Sequence, residues 1–142
     1  MRVYLHHFEL EELLRGPHGP VVQEVTSRSR TVSNLAKRKV GVDTGRLKGS
    51  IRFTVRVQGS RVIGTVGSMV QYAPYHHEGT GIYGPRRQPI RPVKAKVLAF
   101  KPKGSRATVF ATQVRGARPN PFLIDALREA VPWPVRINHL AL

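Results

Sequence analysis

Hydrophobic and polar positions along the chain follow a helical period up to Leu47 and a period of two after it, and each pattern predicts its own elements. From Tyr4 to Arg15, Phe8, Leu10, Leu13 and Leu14 form a rough apolar side. This predicts an N-terminal helix over about 1–16, which also carries Glu9, Glu11 and Glu12. The run Gly16-Pro17-His18-Gly19-Pro20 breaks it, and Pro20 suits the first turn of a new helix. Val21, Val22, Val25, Val32, Leu35 and Ala36 then recur at helical spacing, predicting a long helix to about Val40 that stops at Gly41. After Leu47 the period becomes two: Ile51, Phe53, Val55 and Val57 alternate with Arg52, Thr54 and Arg56. That is a half-buried strand, and Arg61 to Gly67 returns as its antiparallel partner after a turn at Gln58-Gly59-Ser60.

Regular period then fades. Tyr72 to Glu78 reads as a short helix or turn with Pro74 near its start. Gly and Pro dominate 79–95, so a basic loop of extended or polyproline-like backbone is expected, flexible until it orders against a neighbouring subunit. Lys96–Phe100 and Ala107–Val114 are strand candidates joined by a turn at Pro102-Lys103-Gly104-Ser105. Pro119 and Pro121 introduce a last helix, Phe122–Ala130, with Phe122, Ala126, Leu127 and Ala130 on one face. The tail 131–142 has no assignable period. The elements define a single α+β domain, an antiparallel sheet of about four strands with a long N-terminal helix and a C-terminal helix packed on one face.

Composition narrows the setting. At 142 residues the chain suits one core. It has no cysteine, so disulfides and cysteine-ligated zinc are excluded. No apolar run approaches the roughly 18 residues of a membrane span, and the N-terminus lacks the apolar stretch of a signal peptide. A cytosol-like compartment without membrane partners is expected. The net charge is +16, from 24 Lys and Arg against 8 Asp and Glu. No acid lies between Glu78 and Asp125, a stretch that holds ten basic residues. Such a one-signed field attracts polyanions or acidic protein surfaces and opposes self-association.

Four motifs invite chemistry and carry little of it. Asp43-Thr44-Gly45 has the form of an aspartic-protease loop, but the following Arg46 and the preceding Lys37, Arg38 and Lys39 would oppose the shared proton that two such carboxylates need. A helix-to-strand turn is the better reading. His76-His77-Glu78 lacks metal-ligand spacing, since adjacent helical residues diverge by about 100°. Gly79 to Gly84 lacks the Gly-Lys-Ser/Thr ending of a phosphate loop. The basic stretch 86–106 is interleaved with Pro and Gly rather than aromatics, so contact with backbone phosphate or acidic protein is favoured over base stacking. Catalytic, cofactor and metal residues are therefore none.

Three blocks in a fixed order add a specific suggestion. They are Asp43-Thr44-Gly45 with Leu47, then Tyr72-Ala73 followed by Glu78-Gly79-Thr80, then Pro121-Phe122 followed by Ala126-Leu127. With a strand pair between the first two, the chain from Lys39 to Glu129 resembles the neck, head–tail connector and tail-completion proteins of long-tailed bacteriophages. That resemblance implies a structural virion protein, not an enzyme, made in the host cytoplasm and used at the head–tail junction. It implies a homo-oligomeric ring, hexameric in expectation, around double-stranded DNA and next to connector or stopper, tail-terminator or tail-tube proteins. The block residues become structural or interface positions, with Glu78 paired to an Arg. Arg86, Arg87, Arg91 and Lys94 become DNA-channel or partner contacts. The alternative is a cellular, non-sequence-specific nucleic-acid-binding protein of ribosomal type, which accounts for the charge but not for the three blocks.

Overall fold

The computed structural model describes residue 16 and residues 18–41, 45–59, 61–102 and 104–132. Residues 1–15 of the expected helix over 1–16, Asp43, Thr44 and the tail from Trp133 lie outside the described residues. The architecture is α+β, and the chain divides into two compact units: Met1–Val70 with Phe122–Leu142, and Gln71–Pro121.

The first unit is organised by helix α1, Pro20–Lys39. Pro20 supplies a helical φ and has no N–H to leave unpaired at the first turn. Lys37, Arg38 and Lys39 occupy the last turn, where the dipole favours cations, and Arg28 donates to Glu24 one turn earlier at 2.6 Å. The interior is rich in Ser, Thr and Val, which are middling helix formers, so packing must hold this helix. Its buried positions include Ser29, Val32, Ala36 and Val40, spaced three or four residues apart. The helix ends as expected: Val40 N–H donates to Ala36 O at 3.0 Å, and Gly41 turns left-handed with φ 67°.

That face packs on a two-stranded antiparallel sheet, β1 (Ile51–Gln58) and β2 (Arg61–Ser68). The register pairs Phe53 with Val66, Val55 with Gly64 and Val57 with Val62, so apolar residues share one face while Arg52, Thr54 and Arg56 lie on the other. Helix and sheet meet closely at small residues. A Cβ built on Gly64 would overlap Ser29 Oγ and lie 3.1 Å from Val25 Cγ1.

Between Gly45 and β1 runs one helical turn, α2 (Arg46–Ser50), which seats Leu47 in the core. Ser50 Oγ donates to Leu47 O at 2.7 Å and lies 2.7 Å from Ser68 Oγ. Each hydroxyl has a single proton, so Ser68 donates to Ser50 and accepts in turn from Val70 N–H at 3.2 Å. This relay ties the start of β1 to the end of β2.

The short helix α3, Ala73–Glu78, opens the second unit. It is followed by a 3₁₀ turn at Gly81–Tyr83 and by the ribbon β3 (Leu98–Phe100) and β4 (Val109–Ala111). The expected sheet of about four strands is thus two separate ribbons of two strands. After Pro121 the chain rejoins the first unit as α4, Phe122–Ala130, which packs along α1. Phe122 and Ala126 are fully buried, and Arg28 reaches Ala130 O at 3.4 Å. No helix among the described residues is long and apolar enough to cross a membrane.

One ion pair also joins α1 to α4. Lys39 Nζ lies 2.7 Å from a Glu129 carboxylate oxygen. The Lys39 hydrogen bond, with lesser attraction to Lys39 and Arg38, holds the Glu129 carboxyl below its ordinary range despite an opposing desolvation effect. A depressed carboxylate stabilises the fold above the unfolded value of about 4.3, and that contribution is lost as pH falls through the lower folded value. The pair is solvent-accessible, so the effect is small. Urea midpoints of wild type and Glu129→Gln should differ near neutrality and converge on acidification below about pH 4. A gap that stays constant with pH would remove the pair from the stability of the fold.

Candidate functional site

The basic second unit contains ten Lys or Arg and one acid, Glu78, leaving it nine charges positive. Its backbone is arranged around a spine, residues 109–120, that is hydrogen-bonded to four separate pieces of the preceding chain. Leu98–Phe100 pairs with Val109–Ala111, and Ile90 exchanges both backbone hydrogen bonds with Val114 at 2.8 and 2.9 Å. Thr80 N–H donates to Ala117 O at 2.9 Å and Ile82 N–H to Arg115 O at 2.8 Å. Asn120 N–H donates to His76 O at 3.1 Å.

Between these attachment points the chain makes two excursions, and they carry the basic residues singled out by sequence. The first, residues 83–89, contains a turn in which Arg87 N–H donates to Gly84 O at 3.1 Å, with Pro85 at the position that suits its fixed φ. It leaves Arg86 and Arg87 exposed. Arg87 has φ 50°, a conformation uncommon for a side chain of this size. The second excursion, residues 91–97, faces only Thr112 and Gln113 across the ladder. It carries Arg91, Lys94 and Lys96, all exposed, with Val93 at 96% exposure. Arg86, Arg87, Arg91 and Lys94 are thereby placed on neighbouring excursions of one unit.

The Gly79–Pro92 loop differs from the extended, flexible segment that its composition suggests. Thr80 and Ile82 strap it to the spine, and Ala117 N–H donates to Thr80 Oγ1 at 2.8 Å. The strap lies so close that Gly79, with φ 80°, would bring a Cβ within 2.9 Å of Ala117 O and of Pro119 N. Local composition reports the absence of helix or strand periodicity; it does not report backbone pairing with a segment some 35 residues away. Arg118 stacks 5.7 Å from the centre of the Tyr83 ring, adding a cation–π contact to the same strap.

Most of the described block residues are found at turns or in the core. Gly45 precedes α2 with φ 76°, and Leu47 is buried behind it. Ala73 is buried at the start of α3, while Tyr72 is 41% exposed. Gly79 ends α3, and Thr80 anchors the strap. Pro121 leads into buried Phe122, with Ala126 buried and Leu127 half-buried one turn on. Glu78 is half-buried and makes no ion pair with any described residue. The nearby arginines Arg86 and Arg87 are exposed on their excursion.

Sequence reasoning missed Ser29 and Ser33 as buried helix positions. The available signal was their spacing of three or four residues from Val32 and Ala36, masked by their polarity. It also missed Phe110, which lies 67% exposed on β4. No family model, curated protein or solved structure matches the chain.

Proposed function

We propose that the chain is a structural protein of the bacteriophage virion at the head–tail junction, a neck or tail-completion protein that forms a ring of six copies around the DNA channel. The observation that carries this reading is the placement of the three ordered blocks. Their described members include a left-handed glycine before α2, a glycine of positive φ at the end of α3, and the buried start of α4. Turn glycines and a buried helix start are positions that shape a fold, and a pattern that contains them suits a structural role.

The charge indicates which partners the ring meets. Six copies carry a net charge of about +96. A globular domain of this length is about 40 Å across, and duplex DNA over that depth presents on the order of 20 phosphates. Channel DNA neutralises only a minor share. Arg86, Arg87, Arg91 and Lys94 are divided between the channel and acidic surfaces of adjacent connector, stopper, terminator or tail-tube rings.

The test combines electron microscopy of the native particle with a charge-removal variant. Asn tolerates a positive φ, so Arg86→Gln with Arg87→Asn removes two charges and keeps the turn. Joining of heads to tails by this variant should fall by about tenfold at low salt, with a flatter salt dependence. Normal joining across the salt series would make the excursion merely solvated. A monomer that binds RNA salt-sensitively and is missing from the particle would support the ribosomal-type alternative instead.

A further inference from the structure

The β3–β4 ribbon has no polar face. Leu98, Ala99 and Phe100 pair with Ala111, Phe110 and Val109, so both sides of the ribbon are apolar. Unbroken apolar strands belong to sheets covered on both faces. Here Phe110 is 67% exposed, Val109 40% and Phe100 38%. A two-stranded ribbon in water is marginally stable by itself. The surface is therefore incomplete in a single copy. Its rim is entirely basic: Lys94 and Lys96 lie before β3, Lys101 after it and Arg106 before β4, with no acid between 79 and 124.

The chain contains one segment of the opposite character. Three of its eight acids, Glu9, Glu11 and Glu12, fall within four residues and are interleaved with Phe8, Leu10, Leu13 and Leu14. We infer that the β3–β4 ribbon of one copy is a docking surface for the acidic, apolar segment Phe8–Leu14 of a second copy. Apolar side chains of the segment cover Phe110 and its neighbours, and its glutamates meet the lysine rim. Ribbon against ribbon is disfavoured, because each brings only positive charge to the contact. Phosphate is a poor occupant for Leu, Val and Ala, which gain only from apolar contact. The contact is heterologous: each copy offers one segment and one ribbon, so docking repeats and closes into a ring if the rotation permits. In that respect the inference rests on the ring of the proposed function, and it specifies what joins the subunits.

The absence of native cysteine makes a direct test available. Full-length chains carrying only Leu13→Cys are mixed with chains carrying only Phe110→Cys and oxidised with diamide at low salt. A control pairs Leu13→Cys with Thr65→Cys, an exposed position on the outer face of β2. The cross-linked heterodimer should form about tenfold faster with Phe110→Cys than with the control. Raising the salt, or combining Glu9→Gln, Glu11→Gln and Glu12→Gln, should remove most of that advantage. Equal rates for both pairs would overturn the inference. So would a doubly substituted chain, Leu13→Cys with Phe110→Cys, that closes only on itself. A ring seen in the particle without this cross-link defeats the contact alone. The cross-link in a protein missing from the particle defeats the virion role alone.

Discussion

Phe122→Ala is expected to lower the unfolding free energy by about 3–5 kcal/mol, the range for removing a buried aromatic ring. Domains are stable by only about 5–15 kcal/mol, so this loss is a large part of the total. Phe122 is fully buried, as are Ile51 and Val40, and it stands at the first position of α4. The helix has only nine residues and is too short to persist without tertiary packing. Removing the ring both opens a cavity and loosens the return of the chain to the first unit. Guanidinium denaturation measures it, with Phe110→Ala as the comparison. Phe110 is an equally large side chain at 67% exposure, and its truncation in the free protein should shift stability by less than about 1 kcal/mol. Equal effects at the two positions would mean that α4 does not hold the core as described.

The second large effect is expected at the strap. Gly81 has φ 64° and Gly116 φ 93°, and a Cβ on either would overlap backbone of the facing segment, Arg115 O for Gly81 and Thr80 O for Gly116. Left-handed backbone alone costs about 1–2 kcal/mol for a side chain. Backbone overlap adds to this, since no rotamer change relieves it. Gly81→Ala and Gly116→Ala should therefore detach the loop from the spine. The readout is amide hydrogen exchange at Thr80 and Ile82, whose N–H groups donate across the strap. Their protection should fall by at least tenfold, the equivalent of about 1.4 kcal/mol. Gly67→Ala is the control, because a Cβ there meets nothing within 4 Å. Protection that survives both strap substitutions would mean that these hydrogen bonds do not order the loop.

If the strap behaves in this way, the two arginine-bearing excursions are presented by a fixed frame rather than by a slack loop. That matters for the proposed role. A positioned charge binds a partner with less loss of conformational freedom than a mobile one. The strained φ of Arg87 fits the same view, since strain of this kind persists only where surrounding structure holds it.

Much of this fold was legible because its signals are local. The helical spacing of Val32, Leu35 and Ala36, with Pro20 before and Gly41 after, places α1 within one residue of where it runs. Alternation from Ile51 to Val57 gives β1, and the apolar return from Arg61 to Gly67 gives its antiparallel partner. Paired prolines before Phe122 mark the start of α4. Each signal depends on periodicity or on the backbone limits of single residues, and these act wherever the residues occur. Tertiary structure alone decided the rest. Ser29 is buried where Gly64 lets the sheet approach the helix, a fact recorded on two distant segments. Three-residue strands are too short to show a period, so only pairing reveals that four strands form two ribbons. The strap of Thr80 and Ile82 on residues 115–117 joins segments that are each unremarkable by composition. Pairing between remote backbone segments depends on which surfaces the intervening chain brings together, and no local pattern encodes that choice.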